Sequence, residues 1–332
     1  MTIDRRTVIG AGLGLTLATA ATAQQWPQPT PASGAPDLPN WPPAEHFALW
    51  PGKAPGTPAT LPVPRNTMNG LAGERQLWLY GIPEAFVAVY RPVKPDGRAL
   101  LSIPGGGYGF LSVQNEGIDV AHTFCPHGIT VFVLVYRLPG EGWARRWDVP
   151  LQDAQRAMRL IRQRAADWEI DPATLGTIGF SAGGHLAASL AVGYDDKVYD
   201  PIDAADRLSA RPHYAGLLYP VINISLDREG GSYKNLMGPT PDPAAIARYE
   251  TAKRVTAETP PLFVAQALDD PVVDPINSID MLSAARAAKV PVEAHLFEKG
   301  GHGFGPMRAP ADALTTKLWP GLFEAWTRMQ SG

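Results

Sequence analysis

The stretch TIGFSAGGHLA, residues 177 to 187, places Ser181 at the end of an apolar run and before a segment of small residues. Its pentapeptide GFSAG fits the pattern G-x-S-x-G, in which a serine on a sharp turn between a strand and a helix presents its hydroxyl for nucleophilic attack. Glycine and serine are also ordinary turn residues, so a turn residue is the alternative interpretation. The predicted strand before Ser181 and the predicted helix after it favour the nucleophile.

A serine nucleophile needs a general base, and the base needs a carboxylate that orients it. His302 in EKGGHGFG is the candidate base, because its glycine neighbours let a loop present the ring at the edge of a sheet. A surface histidine in a glycine-rich turn is the alternative. The acid is expected in DDPVVD, the loop after the predicted strand PLFVAQAL, where Asp270 is the candidate. Asp269 and Asp274 compete with it, since solvated loop carboxylates are common.

Backbone amides that stabilise a developing oxyanion are the next requirement of such chemistry. One amide is expected from Ala182, the residue after the nucleophile. The loop PGGGYG, residues 104 to 109, follows an early predicted strand, and we expect Gly106 and Gly107 to supply further donors. Glycine lets the backbone approach a substrate closely. A phosphate cradle is the rival interpretation, but the lysine and hydroxyl of a P-loop are missing.

These loops need a scaffold that brings them together. The segments RQLWLY and EAFVAVY predict two antiparallel strands joined at Gly81-Ile82-Pro83. From RALLSIP onward, apolar β-branched runs alternate with segments of helical periodicity. This alternation predicts an α/β fold with a doubly wound, mostly parallel sheet. Residues 223 to 258 are rich in glycine, proline and polar side chains, and they predict a short insertion over the active site.

The N-terminus has the pattern of an export signal. MTIDRRTVIGAGLGLTLATAATAQQ contains paired arginines, an apolar-to-small run and the cleavage pattern A-T-A. We interpret residues 1–23 as a signal peptide, with a partial twin-arginine pattern, and we expect a periplasmic or secreted protein. A membrane anchor is the alternative, but the run is short for a span, so no stable membrane insertion is expected after cleavage. Residues 24–64 form a proline-rich arm, and residues 65–332 form the main domain.

Composition restricts the classes of partner and site. The 332-residue chain has a formal net charge of −3 and no basic block, which argues against nucleic acid as a partner. A single cysteine, Cys125, excludes an intramolecular disulfide. The sequence has no H-E-x-x-H and no C-x-x-C pattern, so neither a metal nor another cofactor is implied. Composition does not give the oligomeric state.

With these pieces in place, the sequence resembles the α/β-hydrolase superfamily, and within it the bacterial acetyl-xylan esterase and bifunctional acetyl/feruloyl esterase group of carbohydrate esterases. The resemblance is carried by PGGGY, VYRLP, DVPLQDAQRAMRLIR, GFSAGGHLA, TPPLFVAQALDDPVV and EKGGHGFG. Pro104 stands where the related lipase-like branch has a histidine, which argues against that branch. The resemblance implies a nucleophile, an acid, a base and oxyanion-hole amides at Ser181, Asp270, His302, Gly106, Gly107 and Ala182.

The resemblance also implies an activity. We expect an exported serine esterase that removes short acyl groups, acetyl above all, from plant polysaccharide or its oligosaccharides through an acyl-enzyme. The expected partner is therefore a small ester or an acetylated saccharide. Tyr108 and Phe110 are expected to crowd a long acyl chain near the oxyanion hole. An amidase or peptidase of the same fold, or a non-catalytic binding protein, is the alternative.

Overall fold

A computed structural model describes residues 39–70, 74–227 and 230–331, together with the two-residue strand Thr30–Pro31. The predicted signal peptide, residues 1–23, lies outside the described residues. Within the described ranges, no helix combines the length and the apolar character that a membrane span requires.

The regular elements are numbered in chain order. The strands are β1 (Thr30–Pro31), β2 (His46–Ala48), β3 (Arg65–Asn69), β4 (Gln76–Tyr80), β5 (Phe86–Tyr90), β6 (Ala99–Ile103), β7 (Thr130–Val135), β8 (Gly176–Phe180), β9 (Ala215–Leu218), β10 (Leu262–Ala267) and β11 (Val292–Phe297). The α-helices are α1 (Asp119–Phe124), α2 (Val149–Gln163), α3 (Ala182–Gly193), α4 (Gly231–Met237), α5 (Pro243–Arg248), α6 (Ile276–Ala287) and α7 (Trp319–Gln330). A π-helical turn, Gln114–Ile118, leads directly into α1.

The main sheet has eight strands in the order β11-β10-β9-β8-β6-β7-β5-β2. The pairs from β11 to β7 are parallel. At one side of the sheet, β5 pairs antiparallel with β7, and β2 pairs antiparallel with β5. Strands β6, β7, β8 and β10 are buried at every residue, which explains why their sequences are predominantly apolar. The predicted α/β fold class with a mostly parallel sheet is therefore confirmed.

Helices cover both faces of this sheet. Gly179 of β8 faces α3, because a Cβ added there would lie 2.6 Å from the Ala187 Cβ. The next residue, Phe180, contacts α7, with its ring centroid 6.2 Å from that of Trp319. Since successive side chains of a strand point to opposite faces, α3 and α7 lie on opposite sides of the sheet.

Helix α2 follows from its sequence pattern. Leu151, Ala154, Met158 and Ile161 recur at helical spacing, and all four are fully buried. Pro150 lies in the first turn, where its missing N–H would have had no intrahelical acceptor.

The predicted hairpin of RQLWLY and EAFVAVY is wrong, although both strands exist. Strand β4 pairs with β3 in a separate three-stranded sheet, and β5 lies between β7 and β2 in the main sheet. The amides of Gly81 and Ile82 donate to the Glu141 carboxylate at 2.7 and 2.9 Å, which anchors the connection between the two sheets. Strand propensity is a local property, but the choice of pairing partner is not.

The described part of the proline-rich arm packs against the main domain. Strand β2 extends the main sheet by pairing with β5. Trp50 Nε1 donates to Asp153 Oδ1 at 2.8 Å, and Trp168 Nε1 donates to Glu45 Oε1 at 2.7 Å. These contacts tie the arm to α2 and to the segment after it. The predicted domain boundary between residues 64 and 65 stays a prediction.

The predicted insertion contains α4 and α5, flanked by the 3₁₀ turns Ile224–Asp227 and Thr251–Arg254. Asn235 of α4 donates from Nδ2 to the carbonyl of Gly107 at 2.8 Å. The insertion therefore contacts the glycine-rich loop that the sequence assigned to oxyanion binding.

Candidate active site

Ser181 lies on the sharp turn between β8 and α3. Its backbone has φ 54° and ψ −119°, a conformation that non-glycine residues rarely adopt. The close approach of neighbouring segments explains the glycine two residues after it. A Cβ added to Gly183 would lie 2.1 Å from the carbonyl oxygen of Ile103 on β6. The strand-to-helix elbow predicted from GFSAG is thus the geometry that the chain adopts.

The structure brings Ser181, His302 and Asp270 together in one hydrogen-bonded series. His302 Nε2 lies 3.0 Å from Ser181 Oγ, and His302 Nδ1 lies 2.8 Å from Asp270 Oδ2. An ionised carboxylate only accepts hydrogen bonds, so Nδ1 carries the proton that faces Asp270. Nε2 is then free to accept the proton of the serine hydroxyl. This is the arrangement that general-base activation of a serine requires.

Asp270 is fixed from several directions. Its Oδ1 accepts the amides of Val272 and Val273 at 2.8 and 3.0 Å, and its Oδ2 accepts Gln266 Nε2 at 2.9 Å. The side chain is fully buried. A carboxylate held this rigidly can orient the imidazole of His302 and stabilise its positive charge.

The two competing aspartates have other partners. Asp269 accepts the Gly301 amide at 2.8 Å and so supports the loop that carries His302. Asp274 accepts the Ile276 amide at 2.9 Å, where α6 begins. Neither carboxylate is bonded to His302, which leaves Asp270 as the acid that the geometry supports.

The glycine-rich loop lies beside Ser181. Gly106 and Gly107 have φ values of 124° and 59°, which favour glycine. Within the described ranges, neither amide donates to a protein acceptor. Ala182 is the first residue of α3, so its amide has no intrahelical acceptor either. Gly106 lines the cleft together with Ser181 and His302, and a Cβ added to Gly107 would lie 3.9 Å from the Ser232 amide nitrogen of α4.

The cleft above Ser181 is small, about 170 Å³. Trp78 of β4 stacks on Phe110, with ring centroids 4.1 Å apart and an interplanar angle of 18°. The lining is made by Gln76, Trp78, Gly106, Phe110, Ser112, Asn115, Glu116, Ser181, His302 and Gly303. The separate three-stranded sheet thus supplies one wall, which sequence reasoning missed. Gln76 and Trp78 alternate along β4 and share a face, but nothing in the sequence places that face at Ser181.

Tyr108 does not line the cleft, so the expectation that it crowds a long acyl chain is wrong. Its side chain is buried, and its hydroxyl lies 2.8 Å from His185 Nδ1. His185 Nε2 lies 2.9 Å from the carbonyl of Tyr249, which can only accept. Burial lowers the pKa of His185 to about 4, so the ring is neutral and Nδ1 accepts the Tyr108 hydroxyl. Phe110, in contrast, lies in the cleft wall as expected.

Glu116 is a second residue that sequence reasoning missed. It lies in the π-helical turn before α1, is 4% exposed and lines the cleft. Its Oε2 accepts the Gly105 amide at 2.7 Å, and its Oε1 accepts the Tyr219 hydroxyl at 2.9 Å. Burial is the main cause that raises the pKa of Glu116 to about 6. In the sequence it resembles any solvated acid at the start of a helix.

The chain is similar to known proteins both in sequence and in structure. Residues 88–284 match the family described as BD-FAE. Endo-1,4-beta-xylanase B of Butyrivibrio fibrisolvens is 36% identical over 68% of this chain and 35% of its own length. Acetylxylan esterase of Xylanibacter ruminicola is 34% identical over 67% of this chain and 44% of its own length. The chain therefore spans less than half the length of these two relatives.

A solved structure matches nearly end to end. The acetyl ester-xyloside bifunctional hydrolase of Caldicellulosiruptor lactoaceticus is 32% identical, with a TM-score of 0.69. The match covers 86% of this chain and 96% of that protein. The family match, the identity levels and the sheet topology agree with one another. The chain therefore belongs to the BD-FAE family and has the α/β-hydrolase fold.

Proposed function

We propose that this chain is a serine esterase that removes acetyl and other short acyl groups from plant polysaccharide or its oligosaccharides. The observation that carries the proposal is the hydrogen-bonded series Ser181–His302–Asp270 beside the amides of Gly106 and Ala182. The relatives named as an acetylxylan esterase and an acetyl ester-xyloside hydrolase support the choice of substrate class.

The proposed reaction has two halves. In the first, His302 Nε2 takes the proton of Ser181 while Oγ forms a bond to the ester carbonyl carbon. The carbonyl oxygen becomes an oxyanion, which the amides of Gly106, Gly107 and Ala182 stabilise. The ester C–O bond then breaks, His302 returns the proton to the departing sugar oxygen, and an acyl-serine remains.

In the second half, water replaces the sugar. His302 takes a proton from water, the hydroxide oxygen attacks the acyl carbon, and a second oxyanion forms in the same place. Collapse of this intermediate breaks the bond to Oγ, returns the proton to Ser181 and releases the carboxylic acid. Asp270 stabilises the imidazolium that each half generates.

The size of the cleft supports a short acyl group. Its volume of about 170 Å³ is shared between the acyl group and the reacting atoms, and stacked Trp78 and Phe110 form one wall. Export is a further part of the proposal, motivated by the N-terminal signal pattern. A mature chain that begins at Gln24 in the periplasmic or culture fraction, measured by mass spectrometry, supports export; retention of residues 1–23 contradicts it.

The decisive experiment compares three substrates with the full chain. Acetate release from acetylated xylo-oligosaccharides is measured beside p-nitrophenyl acetate and p-nitroacetanilide. Turnover of both esters, inhibited by an organophosphate that labels Ser181, is the expected result. Preferential cleavage of the anilide would favour an amidase. Absence of turnover and of labelling would favour a binding protein and overturn the proposal.

A further inference from the structure

Glu116 connects two loops of the site although it is not one of the three residues in the Ser181 series. Its carboxylate receives the Gly105 amide on one oxygen and the Tyr219 hydroxyl on the other. Gly105 belongs to the glycine-rich loop, and Tyr219 follows β9. The Ser102 hydroxyl donates to the Glu116 carbonyl at 2.7 Å, so the backbone beneath the carboxylate is also anchored.

The contact with Gly105 fixes a whole peptide unit. Tyr136 donates its hydroxyl to the Pro104 carbonyl at 2.8 Å, while the amide on the other side of the same unit donates to Glu116. Rotation of this unit is therefore opposed at both ends. A Cβ added to Gly105 would lie 2.9 Å from the Ser181 Cβ, which shows how near the unit lies to the nucleophile. The Gly106 amide belongs to the next peptide unit of the chain, which is joined to this fixed unit through the Gly105 Cα.

The contact with Tyr219 leads to the histidine loop. The Tyr219 hydroxyl accepts the Gly305 amide at 3.2 Å. Its ring lies edge-on against His302, with centroids 4.9 Å apart and planes at 66°. Tyr219 therefore supports both the imidazole and the backbone three residues beyond it.

The π-helical turn adds a second support for the same loop. Asn115, next to Glu116, donates from Nδ2 to the Gly303 carbonyl at 2.9 Å. Consecutive residues of this turn thus hold the histidine loop and the glycine-rich loop. Single π-helical turns are rare in proteins, and those that occur are often found at functional sites.

We propose that Glu116 and Tyr219 act as positioning residues. They form a bridge that holds the glycine-rich loop and the histidine loop in the relative positions that the ester reaction needs. This inference rests on the proposed function. Two donors converge on the carboxylate, which suits its ionised form. A protonated carboxyl would carry its own hydrogen toward one of these donors, and the bridge would lose a bond on that side.

The charge environment gives the bridge a measurable signature. The titratable groups that face Glu116 are Tyr219, Tyr136 and His302, and Asp270 faces Tyr219 from the acid loop. With a pKa raised to about 6 by burial, Glu116 changes charge within the working range of a histidine base. The acid side of the kcat/KM profile should therefore contain the protonation of Glu116.

The test uses Glu116→Gln, Tyr219→Phe and the double variant, with p-nitrophenyl acetate as the probe. We expect each single variant to lower kcat ~10- to 100-fold with little change in KM, because a misaligned donor weakens oxyanion binding. The double variant should be close to the worse single variant, since both changes break one bridge. In Glu116→Gln, the fall of kcat/KM on the acid side of the pH profile, the acid limb, should depend on one proton fewer than in the wild type.

Glu141→Gln is the matched control. Glu141 is likewise a carboxylate that accepts two hydrogen bonds, from the amides of Gly81 and Ile82, but it does not line the cleft of Ser181. Its variant should keep kcat within about twofold. Thermal unfolding of every variant identifies loss of fold, and Tyr219→Phe retains the ring if Glu116→Gln fails to fold.

The bridge would be overturned if the effects of the two single variants on kcat were independent and additive. It would also be overturned if Glu116→Gln left both kcat and the acid limb unchanged. The rate at which an organophosphate labels Ser181 separates this outcome from failure of the proposed function. A wild type that is labelled but does not release acetate would refute the substrate class, and the labelling rates of the bridge variants would still test the bridge.

Discussion

Ser181 keeps its strained backbone because neighbouring elements hold it there. Its amide donates to the Leu218 carbonyl at 3.0 Å, and its carbonyl accepts the amides of Val221 and His185, each at 3.1 Å. Strain of this kind costs on the order of 1–3 kcal/mol and persists only where the surroundings impose it. None of these bonds uses the side chain, so the elbow should survive loss of the hydroxyl.

Ser181→Ala should therefore remain folded and lose its activity. Loss of a serine nucleophile can lower turnover on the order of 10⁶-fold. Ser189→Ala is the matched control, because Ser189 is a buried serine of α3, the helix that follows Ser181, and lies outside the cleft. Ester hydrolysis by purified protein, beside thermal unfolding, measures both effects. Retention of a few per cent of the wild-type rate would exclude Ser181 as the nucleophile.

Substitutions of the three aspartates in the loop DDPVVD should differ in their effects on turnover and stability. Asp270→Asn should lower turnover up to ~10⁴-fold, because the imidazole loses the partner that fixes its tautomer and stabilises its charge. Asp269→Asn should have a smaller effect, transmitted through the Gly301 amide. Asp274→Ala should cost about 1 kcal/mol of folding stability and leave turnover unchanged, since its carboxylate accepts the Ile276 amide at the start of α6 and does not contact His302.

Steady-state kinetics and urea unfolding of the three variants measure these differences. A dead Asp269→Asn beside a nearly normal Asp270→Asn would mean that the acid is one residue away from the position proposed here.

At the scale of elements, β4 determines how much room the acyl group has. Trp78 and Phe110 stack face to face in the cleft wall, and Phe110 is 7% exposed. Phe110→Ala should open the wall and raise the ratio of hexanoyl to acetyl turnover about tenfold or more, because each buried methylene contributes binding energy. Phe47→Ala, a stacked phenylalanine outside the cleft, should leave the ratio unchanged. An unchanged ratio in Phe110→Ala would place the acyl group elsewhere.

Sequence patterns predicted the elements better than their partners. The buried strands could be predicted because both faces of the sheet are covered, which makes each strand predominantly apolar. The glycines around Ser181 and His302 indicated loops at one edge of the sheet, and the structure brings those two side chains together. Strand β4 was predicted, but its sheet was not, since pairing depends on distant segments.

The residues that sequence reasoning missed share a physical reason. Glu116, Tyr219 and Trp78 carry no motif, and their importance comes from burial and from contacts between segments far apart in the chain. Glu116 and Tyr219 are separated by 103 positions and meet at 2.9 Å. Tyr108 shows the converse, because it follows the glycines in sequence but its side chain turns into the core.

For the whole molecule, two buried groups near the site should give opposite dependences of stability on pH. His185 has a pKa lowered to about 4 by burial, so the folded state resists its protonation. Its contribution to stability is complete above its ordinary pKa of 6.5 and is lost as the pH falls toward 4. Glu116 has a pKa raised from 4.5 to about 6, so its contribution is complete below pH 4.5 and is lost as the pH rises through 6.

At about 1.4 kcal/mol per pKa unit, His185 accounts for about 3 kcal/mol and Glu116 for about 2 kcal/mol. Urea unfolding of wild type, His185→Gln and Glu116→Gln between pH 4 and 7 separates the two. As the pH falls, the wild type should lose about 3 kcal/mol relative to His185→Gln and gain about 2 kcal/mol relative to Glu116→Gln. Taking differences in the free energy of unfolding between each variant and the wild type cancels the contribution of the carboxylates that all three proteins share. If both differences in the free energy of unfolding stayed constant across this pH range, burial would not favour the uncharged form of either group. The Glu116 carboxylate would then form its bridge without a cost in stability.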